Sequence, residues 1–508
     1  MNRRNKALLQ NSIASIVLQI VSLVCGLILP RLVLSAFGSE VNGLNASIVQ
    51  FLSYVTLLDG GIGGIVRAAY YKPLAENDKT KVNAIFNASQ RFYNQLGCFM
   101  IIYSLGLAII YPLVVKSSFS FGFVFWMVLI LAFSTILQYF FGATRQILLH
   151  SNQQGYYNTY ISVFTTIANT ILCWIVLKLG GSIHMIKAIS AIVYLVRPIV
   201  LNYYVKKIIR IDRKVPADNM ALNQRWSAFA RHIAFYIHTS TDISILTIFT
   251  NLRTVSIYSV HNAVIKSITS LTSGIIANTE VTFGDLLARK EWDLFYKEFI
   301  GIDMLTKAFS TIVYTISVIL LTPFIMLYTK GIADTNYYQP VFAFILCAAE
   351  WIYCMGLNYN NVIVSAGHIK QTTKYAIAEA LINLLGSIIL VHCCGLIGVV
   401  IATAAAMFYK MCINICYMDK NIVKVEKSYT IRSITANSIV FIVSFALFKT
   451  ILNYRISTIS DFVIYACFVG VVVVAIETAL LYMICRGETM YLVHKLRILF
   501  KIKVSNGK

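Results

Sequence analysis

The chain has 508 residues, of which 58% are hydrophobic and 13% charged, and its mean hydropathy is +0.73. Soluble globular proteins carry about 25% charged residues, so this balance excludes that class. The 43 lysines and arginines outnumber the 21 acidic residues, but they gather at the ends of apolar segments, which argues against a nucleic-acid-binding protein.

Apolar stretches long enough to cross the roughly 30 Å hydrocarbon layer of a bilayer recur along the chain. Unbroken runs such as 462–485 exclude the short alternating strands of a membrane barrel, so the sequence predicts an all-α polytopic membrane protein. The first run is longer than the apolar core of a signal peptide and is interpreted as a span. About 14 transmembrane helices are predicted, at 8–36, 43–71, 85–115, 121–143, 157–178, 184–205, 227–250, 256–284, 300–328, 338–365, 375–393, 396–418, 433–453 and 461–485.

Lysine and arginine are concentrated in the N-terminal segment, in alternate loops and in the C-terminal tail. The positive-inside rule therefore predicts that both termini are cytoplasmic. The excess charge also attracts anionic membrane lipids, and no nucleic-acid partner is expected. The most basic segment, 205–231, is predicted to link two halves of the chain, and its part at 206–214 fits either an amphipathic surface helix or a solvated loop.

The two halves are similar to each other. A shift of 214 residues aligns Val41 with Val255, Ser151 with Ser365, Asn169 with Asn383 and Gly181 with Gly395. We therefore predict two parallel six-helix lobes with two additional C-terminal helices. The predicted domains are an N-lobe at 1–205, a cytoplasmic linker at 206–226, a C-lobe at 227–418, and the last two spans with a basic cytoplasmic tail at 419–508.

The stretch DGGIGGIVR places an acid, four glycines and a base inside the predicted second span. Its glycines match neither a dinucleotide-binding nor a phosphate-binding loop. Gly60 and Gly64 form a GxxxG pair, which predicts close helix packing in lipid. Asp59 and Arg67 are separated by a little over two helical turns and are predicted to share a face.

Ionisable residues inside a span are costly unless paired or hydrated, so each is a candidate functional residue. The candidates are Asp59, Asp242, Glu280, Glu350, Glu379, Glu477, Arg31, Arg67, Arg197, Lys266 and Lys410. In the repeat, Arg67 falls beside the counterpart of Glu280, so the two lobes are expected to present opposite charges. The cysteines lack metal-ligand spacing and no catalytic triad is recognisable, so neither a metal, a cofactor nor an enzyme activity is predicted.

Four segments in chain order resemble polysaccharide-biosynthesis flippases, which form the oligosaccharide-lipid branch of the multidrug/oligosaccharidyl-lipid/polysaccharide exporter (MOP) superfamily. These segments are 28–48 (ILPRLVLSAFGSEVNGLNASI), 57–82 (LLDGGIGGIVRAAYYKPLAENDKTKV), 139–162 (YFFGATRQILLHSNQQGYYNTYIS) and 378–406 (AEALINLLGSIILVHCCGLIGVVIATAAA). The resemblance covers about residues 8–420. It implies a flippase that moves an undecaprenyl-diphosphate-linked oligosaccharide across the bacterial cytoplasmic membrane by alternating access, for capsule, exopolysaccharide or O-antigen-type polymers.

The resemblance also implies a coupling proton or sodium ion, and polysaccharide polymerase machinery as a partner. A diphosphate head needs a cationic, hydrated cavity, while its polyprenyl tail stays in lipid. Arg67 is expected to bind the diphosphate, with Arg31 and Lys266 as further substrate-binding residues. Asp59 is expected to be the resting partner of Arg67 or an ion site, and the remaining charge-partner or coupling-ion candidates are Asp242, Glu280 and Glu379.

Two alternatives remain at this point. An ion-coupled multidrug/cation antiporter of the same superfamily would need acidic groups in its cavity, whereas these spans are rich in cations. A non-transporting membrane scaffold or glycosyl enzyme fits poorly with the internal repeat and the short external loops.

Overall fold

A computed structural model describes residues 3–59, 61–208, 210–218, 240–276, 279–450 and 456–490. Within these residues the chain is helical and has no β-strand, and 10 helices are long and apolar enough to cross a membrane. Large apolar side chains lie on the surface, among them Leu113 and Ile199, which are 72% and 68% exposed. Such a surface suits lipid, and the prediction of an all-α polytopic membrane protein is confirmed.

Seventeen α-helices and one π-helix follow one another along the described residues. They are α1 (Arg3–Ser53), α2 (Thr56–Asp59), α3 (Ile62–Ala75), α4 (Lys79–Val114), α5 (Phe121–Leu137), the π-helix η1 (Gln138–Gly142), α6 (Ala143–Ser151), α7 (Gly155–Lys178), α8 (Ile183–Ile208), α9 (Asp242–Phe249), α10 (Leu252–Ile276), α11 (Thr279–Arg289), α12 (Trp292–Tyr328), α13 (Pro340–Met355), α14 (Leu357–Ser365), α15 (Ile369–Asn421), α16 (Lys427–Thr450) and α17 (Ile459–Ile484). The predicted fifth and sixth spans agree with α7 and α8 to within about three residues. Residues 227–239 of the predicted seventh span lie outside the described residues.

The helices α1 and α15 are too long for one crossing each. They contain 51 and 53 residues, and at 1.5 Å per residue each would extend about 75 Å, more than twice the hydrocarbon thickness. Each is interrupted at one glycine, Gly38 (φ 80°) and Gly395 (φ 55°). A positive φ is accessible to glycine because it has no β-carbon. These glycines separate the predicted first span from the second and the eleventh from the twelfth.

Helix breaks in the first half of the chain recur in the second half at the 214-residue shift found in the sequence. The π-helix of the fourth predicted span ends at Gly142, and Gly356 separates α13 from α14 in the tenth. Gly181 lies between α7 and α8, and its aligned residue is the bend at Gly395. The aligned helices thus share their breaks as well as their residues.

The described residues form two compact units, one within Met1–Ser259 and Gly331–Thr335 and the other within Val260–Lys330 and Asn336–Lys508. Residues 240–259 pack in the first unit. There the Asn42 amide donates to the Ser256 hydroxyl (2.8 Å), two residues related by the 214-residue offset. The Thr247 hydroxyl donates to that of Ser47 (2.8 Å). These bonds tie α9 and α10 to α1.

Candidate functional site

Asp59 and Arg67 lie on either side of a helix break. The single turn α2 ends at Asp59, and α3 begins at Ile62 after Gly61 in the left-handed conformation (φ 73°). Because the helix is interrupted between Asp59 and Arg67, their eight-residue spacing alone does not establish a shared face, and that arrangement stays a prediction. The Asp59 carboxylate accepts a hydrogen bond from the Tyr93 hydroxyl of α4 (2.9 Å), while Arg67 is exposed.

Within this stretch Gly61 interrupts the helix, and Gly64 lies next to open space. A β-carbon on Gly64 would have no atom within 4 Å. The predicted close packing is therefore wrong for Gly64, and Gly60 lies outside the described residues. Glycine permits both close approach and a positive φ, and the latter is used here at Gly61.

The other predicted cavity residues differ in burial. Arg31 on α1 is half-buried, whereas Lys266 on α10 and Glu280 on α11 are exposed. The backbone carbonyl of Glu280 accepts a hydrogen bond from the Ser365 hydroxyl (2.7 Å). A role for these three side chains in substrate binding or coupling stays a prediction.

Asp242 and Glu379 both have partners within their own unit. The Tyr258 hydroxyl donates to the half-buried Asp242 carboxylate (2.8 Å). Glu379 is 2% exposed and forms an ion pair with Lys410 on the second half of α15 (3.0 Å). Their part in coupling also stays a prediction.

The first unit contains a cavity of about 1090 Å³ that the sequence did not reveal. It lies among α4, the junction of η1 and α6, the end of α8, and the described residues that follow α8. The predicted topology puts these chain ends on the cytoplasmic side. We call this cavity the N-unit pocket.

The chain after α8 is held against α4 by side-chain amides. Asn83 donates to the Arg210 carbonyl (3.2 Å) and accepts from the Asp212 amide (3.0 Å). One turn further along, Asn87 donates to the carbonyls of Asp212 (2.9 Å) and Val215 (2.8 Å). The segment 210–218 is therefore a non-helical loop docked on α4, and this docking places Arg213 at the pocket. Of the two forms predicted for 206–214, residues 210–214 have the loop form, whereas 206–208 are the end of α8.

The π-helix shapes another wall of the pocket. π-Helical turns are rare in proteins, and those that do occur are frequently found at functional sites. Here η1 supplies Phe140 and Phe141 to the lining, and the Gln90 amide donates to the Phe140 carbonyl (2.8 Å). A β-carbon on Gly97 would lie 2.7 Å from the Phe140 ring, so the absence of a side chain at Gly97 admits this ring.

The polar part of the lining is cationic. Its charged residues are Arg91, Arg145, Lys206 and Arg213, and its amides are Asn87, Gln90, Asn94, Gln95 and Asn202. Among the lining residues in the described part of the chain, none is acidic. Four positive charges with amide donors and without a carboxylate favour an anionic ligand.

Arg145 is the buried cation of this group, only 8% exposed. Its Nε donates to Asn202 Oδ1 (2.9 Å), and its Nη1 donates to Gln90 Oε1 (3.2 Å) and to the Phe141 carbonyl (3.0 Å). These acceptors are all neutral. A buried guanidinium held by neutral acceptors keeps its positive charge for an incoming anion, such as a phosphate.

The deeper part of the lining is apolar. From Phe86 to Ile102 the α4 helix rises about 24 Å, so the pocket extends over about that length along α4. Here Phe99 and Ile102 line it and are 44% and 71% exposed. A cationic end and a lipid-facing apolar end suit an amphiphile with an anionic head.

The second unit contains a buried ion pair that the sequence analysis also missed. Lys307 and Asp303 on α12 are 0% and 1% exposed, and Lys307 Nζ lies 2.6 Å from Asp303 Oδ2. The Tyr429 hydroxyl donates to Asp303 (3.0 Å), as does the Asn358 amide (3.3 Å). The signal was the DxxxK spacing inside a predicted span, which places two opposite charges one helical turn apart.

No protein-family model and no curated protein sequence matches the chain. A solved structure of the lipid II flippase MurJ in an inward closed conformation is similar with a TM-score of 0.71 and 15% identity, covering 93% of this chain and 98% of that one. An inward-facing multidrug resistance MATE family transporter of the MOP superfamily gives a TM-score of 0.61 at 15% identity, covering 88% and 99%. The MATE multidrug transporter DinF-BH gives 0.59 at 17% identity, covering 83% and 97%. The chain therefore has the fold of these transporters, and the resemblance to MOP flippases found in the sequence agrees with this fold.

Proposed function

We propose that this protein is a flippase that moves an undecaprenyl-diphosphate-linked oligosaccharide across the bacterial cytoplasmic membrane by alternating access, for a surface polysaccharide. The observation that carries the proposal is the N-unit pocket, which has four cations at one end and exposed apolar side chains at the other. Fold likeness to a lipid II flippase agrees with it but does not select the substrate.

The pocket matches both parts of such a ligand. A diphosphate is a polyanion that cationic side chains bind, and the contacts of Arg145 with Asn202 and Gln90 fix its positive charge at the pocket. The apolar face at Phe99 and Ile102 provides a surface for the first units of the polyprenyl tail. We infer that the substrate is loaded here from the cytoplasmic leaflet, before it reaches the predicted central residues Arg67, Arg31 and Lys266.

The alternative is an ion-coupled multidrug/cation antiporter, and the fold likeness to MATE transporters supports it equally well. The positive charge of the pocket distinguishes between the two candidate functions. An organic cation would be repelled by Arg91, Arg145, Lys206 and Arg213, and the described lining residues include no carboxylate to offset them. The pocket therefore favours the anionic, lipid-linked substrate.

Binding to the purified protein in lipid nanodiscs tests the proposal. The probes are undecaprenyl diphosphate, the neutral undecaprenol and a cationic dye. The double variant Arg91→Gln/Arg213→Gln removes two exposed cations of the pocket, and Arg210→Gln removes an exposed cation of the same segment that does not line it. A charge-assisted hydrogen bond contributes about 1.5–3 kcal/mol, so we expect the double variant to weaken diphosphate binding by at least about tenfold.

Arg210→Gln should bind like the wild type, and undecaprenol should bind weakly to all forms. Equal affinity for diphosphate and alcohol, or an unchanged affinity in the double variant, would contradict an anion site in this pocket. Saturable binding of the dye in competition with the diphosphate would instead favour the antiporter.

A further inference from the structure

Glu477 on α17 is a buried acid that the proposed substrate site does not use. It is 1% exposed and shares the buried face of α17 with Tyr465, Val469, Val473 and Leu481. Neither of its carboxyl oxygens has a hydrogen-bond partner among the described residues. Buried polar atoms are nearly always hydrogen-bonded in proteins, so this side chain needs an explanation.

Its surroundings are apolar on both sides along the helix. On one side, Val473 packs in a cluster with Ile312 and Ile316 of α12. On the other side, Leu481 packs with Ala308 of α12 and Ala436 of α16. Glu477 therefore lies between two apolar clusters where α17 meets α12 and α16.

The buried ionisable groups on the two helices packed against α17 have partners of their own. The Tyr314 hydroxyl of α12 contacts the Thr269 hydroxyl (2.9 Å). On α12, Asp303 and Lys307 pair with each other. On α16, Tyr429 donates to Asp303 (3.0 Å), and Arg432 pairs with Glu488 (3.1 Å). None of these contacts supplies a positive charge or a donor to Glu477.

The charged and neutral forms of this acid differ greatly in stability at such a position. An isolated buried carboxylate loses its hydration without compensation, a cost of several kcal/mol. The neutral carboxylic acid avoids most of that cost. Glu379 is the natural comparison, because it is equally buried but has Lys410 Nζ at 3.0 Å, and this positive charge offsets the cost of burying a carboxylate.

We propose that Glu477 is a proton-binding site, which carries a proton in this conformation and releases it to water when α17 separates from α12 during transport. The release converts the carboxylic acid to a carboxylate and gives the proton to a water molecule, which becomes hydronium. Binding of the proton depends only on the surroundings of Glu477. The coupling of proton release to substrate movement rests on the proposed transport function. In that case the proton is the coupling ion.

Infrared spectroscopy of the purified protein tests the proton site without any substrate. We expect a carbonyl band of a protonated carboxylic acid at neutral pH, which Glu477→Gln removes and Glu379→Gln leaves in place. Glu477→Gln keeps the shape of the neutral acid, and Glu477→Asp provides a second variant whose band should be shifted. The proposal is overturned if the wild type and Glu477→Gln have the same spectrum in this region, since Glu477 would then be ionised.

Coupling is tested separately in proteoliposomes with a fluorescent undecaprenyl-diphosphate-linked sugar. A pH gradient should accelerate flipping by the wild type and by the control Asp285→Asn, which changes an exposed acid of α11, but not by Glu477→Gln. An unchanged response in Glu477→Gln would overturn the coupling role. If no protein moves the lipid, the proposed function fails, while the infrared result still decides whether Glu477 holds a proton.

Discussion

The buried pair Asp303–Lys307 allows a quantitative prediction. Replacing Lys307 by methionine leaves the Asp303 carboxylate buried without a cation among the described residues, while the Tyr429 and Asn358 donors remain. Removing one partner of a fully buried ion pair costs about 3–5 kcal/mol, so Lys307→Met and Asp303→Asn should each lower the free energy of unfolding by about that amount. In the double variant neither charge is left alone, so its loss should be smaller than the sum by about 2–3 kcal/mol.

The assay is a double-mutant cycle from denaturant unfolding in detergent micelles. The matched control is the pair Asp285–Arg289 of α11, which has the same four-residue spacing and an N–O distance of 3.0 Å but side chains that are 55% and 63% exposed. Exposed pairs contribute only about 0–1 kcal/mol, so its coupling energy should be small. Additive losses at Asp303 and Lys307 would refute the reasoning, because they would show that the two charges do not depend on each other.

Three further predictions concern the first unit. Gly97→Ala should destabilise the protein by about 1–3 kcal/mol, because the new β-carbon meets the Phe140 ring at 2.7 Å. The control is Gly106→Ala on the same helix, where a β-carbon has open space. Equal thermal stability of the two variants would contradict this prediction. Arg67→Ala should abolish surface polysaccharide in cells while the protein inserts normally, and wild-type polymer would rule out its proposed role. Asp334→Ala should lower the free energy of unfolding by about 1.5–3 kcal/mol, because the Asp334 carboxylate accepts hydrogen bonds from both the amide and the hydroxyl of Ser39 (2.6 Å each). An unchanged melting temperature would show that these bonds contribute nothing.

The spans and the superfamily fold could be predicted because hydrophobic length and charge asymmetry are properties of the sequence itself. The break at Gly395 was anticipated in the same way, since glycine punctuates adjacent spans. The GxxxG interpretation failed because glycine has two uses in helices. Only the backbone angle at Gly61 and the open space at Gly64 show that interruption, rather than packing, is the one used here.

The pocket could not be predicted, because its parts are far apart in the chain. Asn87 meets the carbonyl of Val215 across 128 residues, and Arg145 meets Asn202 across 57. Arg91 and Lys206 resemble ordinary topology cations until the docking of 210–218 brings Arg213 beside them. The anionic, diphosphate-linked substrate was therefore predicted from the family resemblance, with its binding assigned to Arg67, and the N-unit pocket was not anticipated.

Translocation by the purified protein tests the central claim most directly. Proteoliposomes would carry a fluorescent undecaprenyl-diphosphate-linked oligosaccharide in both leaflets, and a membrane-impermeant quencher would report the outer leaflet. We expect the wild type and Arg210→Gln to expose the whole pool to the quencher, and Arg91→Gln/Arg213→Gln to do so at least about tenfold more slowly. If the wild type leaves the inner pool protected as protein-free vesicles do, the proposed flippase function is contradicted. If the double variant flips the lipid at the wild-type rate, the role of the N-unit pocket is contradicted.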